Sequence, residues 1–522
     1  MVTSTALRTD RYELTMLDAA LRDGTATRRC VFELFARRLS AGRRFGVVAG
    51  TGRLLSLIRD FRFGDDELRF LRDNRIVDAA TIDYLAGYRF SGSITGYREG
   101  ELYFPGSPIL TVEGTFAEAV ILETLALSVL NHDSAVATAA ARMRIAAGDR
   151  PLAEMGSRRA GEDSAVAAAR AAYIVGFGAT SNLEAGRTWG IPTMGTAAHS
   201  WTLLHDTEED AFRAQVEAFG PKTTLLIDTY DITRGVELAV EVAGPELGAV
   251  RIDSGDLPTV VTAVREQLDA LGAVNTRITV TSDLDEFTIA GLSAAPVDSY
   301  GVGTTLLVDT YDIRKGVQTA VRVAGRRLGG VRVDSGDLPL VAAEVRAQLD
   351  ALGATGTRIT VTSDLDEFTI AALAASPVDA YGVGTAVVTG SGTPTAGMVY
   401  KLVARQDAAG SWTAVAKSSA EKASKGGRKA AFRTLDAGTA TSELIAVSDG
   451  FEEIDTAAHH RDARALQVPL VVDGVSDVAF EGAGGVAAAR AHHARVREEL
   501  PVQALALSRS DPAIPTVFID VA

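Results

Sequence analysis

The stretch VRIDSGDLP occupies residues 250–258, and VRVDSGDLP occupies residues 331–339, 81 positions later. In each copy a short apolar strand ends in two aspartates that bracket a serine and a glycine. Glycine lets the backbone approach a ligand closely, and carboxylates at such a place accept hydrogen bonds from sugar hydroxyls or hold Mg²⁺ through water. The alternative is a helix N-cap, with Asp256 or Asp337 capping the helix that follows. The motif alone leaves both interpretations open.

The motif belongs to a long internal repeat. Residues 224–304 align without a gap onto residues 305–385, and the two copies differ at 21 of 81 positions. Two copies with unrelated flanks do not form a solenoid array. The repeat therefore indicates a tandem duplication of part of one domain, in which every polar strand-end motif is present twice.

Strands and helices alternate through the repeat. TLLIDTYDI, AVRIDSGDL, RITVTSDL and VDSYGVGT each have the pattern of a short buried strand that ends in polar residues, and helices such as GVELAVEVAG lie between them. This alternation is typical of parallel βα units. In βα barrels the chemistry collects at the carboxyl ends of the strands, where these motifs would lie.

Three regions follow from the patterning. Residues 1–125 alternate period-2 strands with helices and predict an α+β domain. Residues 126–405 predict the α/β barrel, which contains the duplicated modules 224–304 and 305–385. Residues 406–522 have weaker patterning, and we expect this segment to return to the N-terminal domain.

Composition excludes several classes of protein. The net charge of −15 disfavours a general nucleic-acid binder, which needs a basic surface to neutralise phosphates. Arg or Asp interrupts every apolar run before the roughly 18 residues of a membrane helix, and the N-terminus lacks a secretory signal pattern. We therefore expect a cytoplasmic protein with no membrane partner. The single cysteine, Cys30, excludes an internal disulfide framework and is expected to be buried.

Glycines and serines at other strand ends suggest a phosphate site. A strand that ends in Gly-x-Gly leaves backbone N–H groups free for phosphate oxygens, although a plain turn explains the same pattern. The candidates are Gly301, Gly303 and Thr304, with their counterparts Gly382, Gly384 and Thr385. Ser282 and its counterpart Ser363 end the preceding strand, where a capping box is the structural alternative.

One histidine and two arginines complete the candidate site. His199 lies among small residues just beyond a predicted strand, where it is either a structural residue or a group for acid–base or nucleophilic chemistry. Arg158 and Arg159 follow another short strand, and their forked donors suit a carboxylate or a phosphate.

Taken together and in order, the motifs closely resemble those of nicotinate phosphoribosyltransferases. The series covers roughly residues 8–440 and runs TDRYELTM, FELFARR, NHDSAVATAAARM, EMGSRR, TSNLEAG, GTAAHSW, LIDTYD, RIDSGDL, TSDLDE, YGVGT and KSSAEKASKGGRK. The resemblance implies an irregular α/β barrel plus an α+β domain formed by both ends of the chain, and a homodimer with sites at its interface. It also implies the transfer of nicotinate onto phosphoribosyl pyrophosphate in NAD biosynthesis, assisted by ATP and Mg²⁺.

The same resemblance assigns roles to residues of this chain. His199 corresponds to a histidine that ATP transiently phosphorylates, and Tyr12 to a tyrosine that stacks on the pyridine ring from the partner subunit. Arg158 and Arg159, with Arg251 or Arg332, are expected to bind the nicotinate carboxylate. Asp253 or Asp334, each followed by a serine (Ser254 or Ser335), is expected to bind the ribose, and the serine and glycine motifs the 5′-phosphate. No residue is assigned as a metal ligand.

Two departures from the family pattern leave alternative functions open. Ala160 and Gly161 stand where a histidine is expected after the arginine pair, and the duplication leaves about 81 residues without a place in one barrel. We predict a composite barrel that begins in the first copy and ends in the second, with the phosphate loop at residues 382–385. The alternatives are a catalytically silent homologue and a phosphoribosyltransferase that prefers nicotinamide.

Overall fold

A computed structural model describes most of the chain in two compact units. The described residues are 5–147, 152–195, 198–254, 257–282, 289, 292, 295–302, 330–333, 338–356, 358–362, 376–377, 380–382, 395–416, 425–448, 463–506 and 510–521. Unit 1 comprises Met1–Thr138, Thr188–Gly190 and Thr393–Ala522, and unit 2 comprises Ala139–Arg187 and Ile191–Gly392. Both ends of the chain thus lie in one unit, with boundaries at residues 138 and 393 instead of the expected 125 and 405.

Unit 1 is built on antiparallel strands from both ends of the chain. Its helices are α1 (Arg11–Asp23), α2 (Thr51–Asp60), α3 (Asp65–Asp73), α4 (Ala79–Ala86), α5 (Phe116–Val120) and the start of α6 (Glu123–Ala147), with α14 (Gly482–Arg497) near the C-terminus. Its strands are β1 (Arg29–Ala36), β2 (Gly46–Val47), β3 (Ser93–Tyr97), β4 (Leu102–Tyr103), β5 (Leu110–Thr115), β15 (Met398–Gln406), β16 (Trp412–Ala414), β17 (Arg428–Asp436), β18 (Thr439–Ser448), β19 (Ala463–Ala465), β20 (Gln467–Val472), β21 (Val475–Ser476) and β22 (Thr516–Val521). The main sheet has the order β16-β15-β1-β5-β3-β20-β21, so three N-terminal strands lie in its centre and C-terminal strands flank them on both sides.

Among the described residues, one long helical segment, which comprises α5 and most of α6, has the composition of a membrane span. Residues Phe116–Ile145 are long and apolar enough to cross a bilayer, but 67% of the most apolar window is buried inside the protein. Buried side chains of this region pack in the same hydrophobic core as Leu14, Phe32 and Tyr400. The helix therefore has the surroundings of a core helix.

Unit 2 contains a parallel sheet with a barrel-like strand order. Its strands are β6 (Leu152–Glu154), β7 (Ala179–Thr180), β8 (Thr224–Leu226), β9 (Ala249–Ile252), β10 (Arg277–Ser282) and β11 (Ser299–Val302), arranged β7-β6-β11-β10-β9-β8. Of these six strands, β11 is the last along the chain and β6 is the first, and the two pair with each other, as in the closure of a βα barrel. Helices follow the strands: α7 (Glu162–Ile174), α8 (Leu183–Trp189), α9 (His199–Leu204), α10 (Glu208–Phe219), α11 (Ile232–Ala243) and α12 (Leu257–Ala270).

The second copy of the repeat forms a sheet of its own. Strands β12 (Gly330–Val333), β13 (Arg358–Thr362) and β14 (Ala380–Gly382) pair in parallel in that order, and α13 (Leu338–Ala351) follows β12. Arg332 pairs with Thr360 as Arg251 pairs with Thr279, so the register of the first copy is repeated. The second copy thus has the same local βα fold outside the six-stranded sheet.

The composite barrel is wrong for the part of the chain that the structure describes. The first copy supplies β8, β9, β10 and β11 without interruption, and β11 is the strand that pairs with β6. Tyr300 lies opposite Leu152 and Gly301 opposite Ala153. The strand of the second copy that leads to residues 382–385, β14, belongs to the separate sheet.

Candidate active site

The candidate site lies at the carboxyl ends of β8, β9 and β10. Parallel strands bring these ends to one edge of the sheet, and the register places residue 253 beside residue 281 because Ile252 pairs with Val280. Asp253 follows β9 directly and is 4% exposed. The polar end of the motif is thus the point where a buried strand reaches the site edge.

Asp253 is held from three directions. Its backbone N–H donates to Oδ2 of Asp228 over 2.8 Å. Its Oδ1 accepts from the Thr281 hydroxyl over 3.0 Å, and its Oδ2 accepts from Nη2 of Arg251 over 3.2 Å. The hydroxyl of Ser254 also donates to Oδ2 of Asp228 over 2.7 Å. The carboxylate is therefore fixed in position before any ligand binds.

His199 faces this carboxylate. Its Nδ1 lies 3.1 Å from the hydroxyl of Thr229, and its Nε2 lies 3.9 Å from Oδ2 of Asp253. Nε2 is buried and has no hydrogen-bond partner among the described residues. The imidazole is thus held at one nitrogen, while the other points towards the Asp253 side of the site.

A further carboxyl group, that of Glu208, lies near Asp228. Oδ1 of Asp228 and Oε1 of Glu208 are buried and have no hydrogen-bond partner in the described part of the chain. Burial, together with the negative charges of Asp228 and Asp231, raises the pKa of Glu208 to about 7. The described residues contain no group of three or more His, Cys, Asp or Glu side chains arranged for a metal ion.

The arginine pair follows β6 at the same edge of the sheet. Arg158 and Arg159 are exposed, and the N–H of Arg159 donates to the carbonyl of Gly156 over 2.9 Å. The buried Glu154 fixes the start of this loop, because it accepts hydrogen bonds from the N–H of Gly156 and the hydroxyl of Thr180. The arginines therefore lie at the predicted edge of the sheet.

The remaining candidates of the first copy are placed by their strands. Ser282 is the last residue of β10, and Gly301 lies in β11, so both reach the carboxyl edge. Gly303 and Thr304 lie outside the described residues. The structure therefore places the strands that lead to the predicted phosphate site.

In the second copy, Arg332 lies in β12 and Gly382 at the end of β14. Both are outside the six-stranded sheet, so the preference for the second phosphate loop is not supported. Asp334, Ser335, Ser363, Gly384 and Thr385 lie outside the described residues.

Tyr12 lies in unit 1, on α1. Its side chain is 45% exposed. Partial burial raises the pKa of Tyr12, and the nearby carboxylate of Glu123, to which its hydroxyl is hydrogen-bonded, raises it further. The ring is thus accessible, while the hydroxyl has a partner within the unit.

The lysine-rich segment at residues 417–429 is described only from residue 425. Lys425 pairs with Asp520 and Lys429 with the buried Glu33, and Arg428 donates to Glu113. These three cations are therefore bound to carboxylates of unit 1.

Sequence reasoning missed Asp228, Thr229, Thr281 and Glu208. Asp228 and Thr229 lie in LIDTYD and Thr281 in RITVTSDL, two motifs that were recognised without a role for these side chains. A signal was present, because each of the three stands at the polar end of a buried strand. Glu208 lies at the start of α10, and nothing in its local sequence indicates its burial.

Comparison with known proteins agrees with this arrangement. Residues 7–131 match the model of the nicotinate phosphoribosyltransferase (NAPRTase) N-terminal domain. The chain is 48% identical over 521 residues to nicotinate phosphoribosyltransferase pncB1 of Mycobacterium tuberculosis, which covers 98% of this chain and 94% of that relative. The chain belongs to the nicotinate phosphoribosyltransferase family.

A more distant relative and two solved structures are also similar to this chain. The nicotinate phosphoribosyltransferase of Bos taurus is 33% identical over 453 residues, which cover 82% of this chain and 77% of that relative. The crystal structure of human nicotinic acid phosphoribosyltransferase has a TM-score of 0.60 at 24% identity and covers 98% of this chain and 97% of its own. A nicotinate-nucleotide pyrophosphorylase from Pyrococcus furiosus has a TM-score of 0.63 at 19% identity, over 95% and 96% of the two chains. These two structures share the family's fold with this chain.

Proposed function

We propose that this chain is a nicotinate phosphoribosyltransferase, acting at the entry to NAD biosynthesis. It joins nicotinate to phosphoribosyl pyrophosphate and gives nicotinate mononucleotide and pyrophosphate. The observation that carries the proposal is the pairing of Asp253 with Arg251 and Thr281 at the carboxyl edge, beside the imidazole of His199. A family member with this site intact has the means to perform the family's reaction.

The site fits the charge that develops in this reaction. The ring nitrogen of nicotinate forms a bond to C1 of the ribose while the bond from C1 to the pyrophosphate oxygen breaks. Positive charge develops on the ribose as pyrophosphate leaves, and the fixed carboxylate of Asp253 stabilises it. Because Thr281 and Arg251 already orient this carboxylate and Asp228 holds the backbone N–H of Asp253, little reorganisation is needed during the step.

We assign the binding of the nicotinate carboxylate to arginines at the carboxyl edge of the same sheet. Arg251 is only 14% exposed, and its guanidinium forms forked hydrogen bonds of the kind that carboxylates accept. Arg158 and Arg159 follow the neighbouring part of the sheet. The site is expected to prefer nicotinate to nicotinamide, because a guanidinium forms charge-assisted hydrogen bonds with a carboxylate that a neutral amide does not match.

Mg²⁺ and ATP are part of the proposal. Mg²⁺ usually binds through one or two carboxylates and substrate phosphates, and Asp228, with its unpartnered buried Oδ1, fits as a ligand together with Asp253. Mg²⁺ would supply charge neutralisation on the diphosphate. His199 fits a phosphoryl acceptor from ATP, because Thr229 holds Nδ1 and Nε2 lacks a hydrogen-bond partner among the described residues.

We also propose a cytoplasmic homodimer in which Tyr12 stacks on the pyridine ring bound by the partner subunit. The exposed ring of Tyr12 supports this role. Analytical ultracentrifugation of the purified chain tests the dimer, and a monomer at micromolar concentration would contradict it.

The experiment that tests the function measures pyrophosphate release from phosphoribosyl pyrophosphate with Mg²⁺, with and without ATP. We expect release with nicotinate and much weaker release with nicotinamide. Faster release with nicotinamide would contradict the proposed specificity. A folded protein with neither activity would identify a catalytically silent homologue.

A paired substitution tests the role of His199. His199→Gln is expected to abolish both the stimulation by ATP and the acid-labile label from γ-³²P-ATP, and to leave slow ATP-independent turnover. His205→Gln is the control, because Nδ1 of His205 lies 2.8 Å from the Trp201 carbonyl, within its own helical turn. Retention of the label in His199→Gln would contradict the phosphohistidine.

A further inference from the structure

Thr281 lies between the two charged side chains of the site. It is 3% exposed, and its hydroxyl accepts from Nε of Arg251 over 2.9 Å and reaches Oδ1 of Asp253 at 3.0 Å. The guanidinium has only donors, so the hydroxyl must accept there. Its single proton is then directed to Asp253, since the other acceptor in reach, the carbonyl of Ile252, is farther at 3.4 Å.

This placement follows from the register of the strands. Arg251 and Asp253 are two residues apart and so point to the same face. Arg251 pairs with Thr279, which places Thr281 opposite Asp253 and diagonal to Arg251. A short branched hydroxyl at residue 281 is therefore able to touch both side chains at once.

The Thr281 hydroxyl changes the geometry of the ion pair between Arg251 and Asp253. An arginine and an aspartate at this spacing can close into a bidentate pair, in which Nε and Nη2 each bind one carboxylate oxygen. Here Nη2 binds Asp253 directly, at 3.2 Å, while Nε binds the Thr281 hydroxyl, which in turn binds Oδ1 of Asp253. The hydroxyl therefore acts as a spacer between Nε and Oδ1.

We propose that Thr281 is a positioning residue that keeps Arg251 and Asp253 in an open pair, so that each remains directed to its own substrate. This inference rests on the proposed function for its kinetic consequence: Arg251 faces the nicotinate carboxylate and Asp253 the ribose. A closed pair would satisfy both charges internally and weaken both substrate sites together. Thr281 thus links the two halves of the active site through one hydroxyl.

A crystal structure of Thr281→Val tests the geometry without reference to activity. Valine keeps the shape but lacks the hydroxyl, so we expect the guanidinium to swing and Nε to approach Oδ1 to within about 3.2 Å. An unchanged open pair in this variant would overturn the proposal, whether or not the enzyme is active.

Kinetics test the consequence. Thr281→Val is expected to raise KM for nicotinate and for phosphoribosyl pyrophosphate together and to lower kcat/KM about tenfold, the usual effect of one lost hydrogen bond to a charged group. Thr281→Ser, which restores the hydroxyl, is expected to return within about threefold of wild type. If Thr281→Ser were as impaired as Thr281→Val, the hydroxyl would not be the cause.

Two controls separate positioning from structural effects. Thr279→Val removes a buried hydroxyl of the same strand, one that contacts Ser299 at 2.8 Å, and it should change the melting temperature more than either KM. Thr362→Val makes the same change at the equivalent position of the second copy and should leave kinetics unchanged.

A wild type without nicotinate-dependent release would refute the proposed function, while the crystal structure would still decide the role of Thr281.

Discussion

At the scale of single residues, the site depends on contacts across neighbouring strands. The Asp253 carboxylate accepts hydrogen bonds from Thr281 in β10 and Arg251 in β9, and its backbone N–H donates to Asp228 after β8. A carboxylate bound in this way costs little to orient during the reaction. Glu208, in contrast, is buried near Asp228 with one oxygen unpartnered, which is unfavourable for its charged form.

Glu208→Gln tests this burial through the pH dependence of stability. The pKa of Glu208 is raised from 4.5 to about 7, so the folded state binds a proton that the unfolded state releases between these pH values. Stability from this group therefore falls as pH rises through that window, and the loss is complete above pH 7. We expect Glu208→Gln to be more stable than wild type at pH 8, by about 1 kcal/mol, and equal to it near pH 4.5.

The measurement is thermal or urea unfolding of both proteins between pH 4.5 and 8. Glu209→Gln is the matched control, because this neighbouring side chain is 46% exposed and pairs with Arg213. A difference that is independent of pH, or that is equal for the two variants, would contradict the account of Glu208.

At the scale of elements, strands from the C-terminal part of the chain complete the sheets of unit 1. Strand β15 pairs with β1, and β20 pairs with β3. A buried ionic cluster adds to these pairings: Nη1 of Arg433 binds Glu101 at 2.7 Å, and Nη2 binds Glu443 at 2.6 Å. Removal of one member leaves an uncompensated buried charge, which is strongly destabilising.

Arg433→Met is expected to destabilise the protein by about 3–5 kcal/mol, the usual range for a broken buried pair. KM for the substrates should not change in the folded fraction. Arg428→Met is the control, since the Arg428 side chain is 35% exposed beside Glu113 and such pairs contribute about 1 kcal/mol or less. Thermal unfolding distinguishes them, and equal losses of stability would contradict the role assigned to burial.

The sequence predicted the strands of the site better than the contacts between their side chains. The short apolar runs before DSGD and TSDL correctly indicated β9 and β10, because strand-end glycines and aspartates are local signals. The contacts of Asp228 and Thr281 with Asp253 were not predictable in the same way, since they depend on the register between strands. Likewise, local sequence gives no sign that Lys429 pairs with Glu33, 396 residues away.

At the scale of the whole molecule, the four strands that the repeat contributes to the six-stranded sheet, β8 to β11, all come from the first copy. The strand motifs are nearly the same in both copies, so motif matching could not choose between them. A weaker signal lies in the core. Three fully buried apolar residues of the first copy are replaced by smaller ones in the second: Ile227, Ile252 and Val261 against Val308, Val333 and Ala342. Larger buried side chains favour the first copy in the extended sheet, because burial stabilises by about 0.8 kcal/mol per methylene.

Deletion of residues 305–385 tests this assignment. The variant has 441 residues and keeps every strand of the six-stranded sheet, so we expect a folded enzyme with activity within about threefold of wild type. Deletion of residues 224–304 is the matched control, in which the second copy must enter the sheet with its smaller core residues, and its melting temperature should be lower by a few degrees. An inactive or aggregated first variant beside an active second one would contradict the assignment.

The most direct test of the central claim, that Asp253 of the first copy forms the working site, is nicotinate-dependent pyrophosphate release by wild type, Asp253→Asn and Asp334→Asn in parallel. The two substitutions make the same change at equivalent positions of the two copies. We expect Asp253→Asn to lose about 10²-fold or more in kcat, the scale of one lost electrostatic contact to the transition state, and Asp334→Asn to match wild type. Loss of activity in Asp334→Asn with retention in Asp253→Asn would place the working site in the second copy and refute the claim.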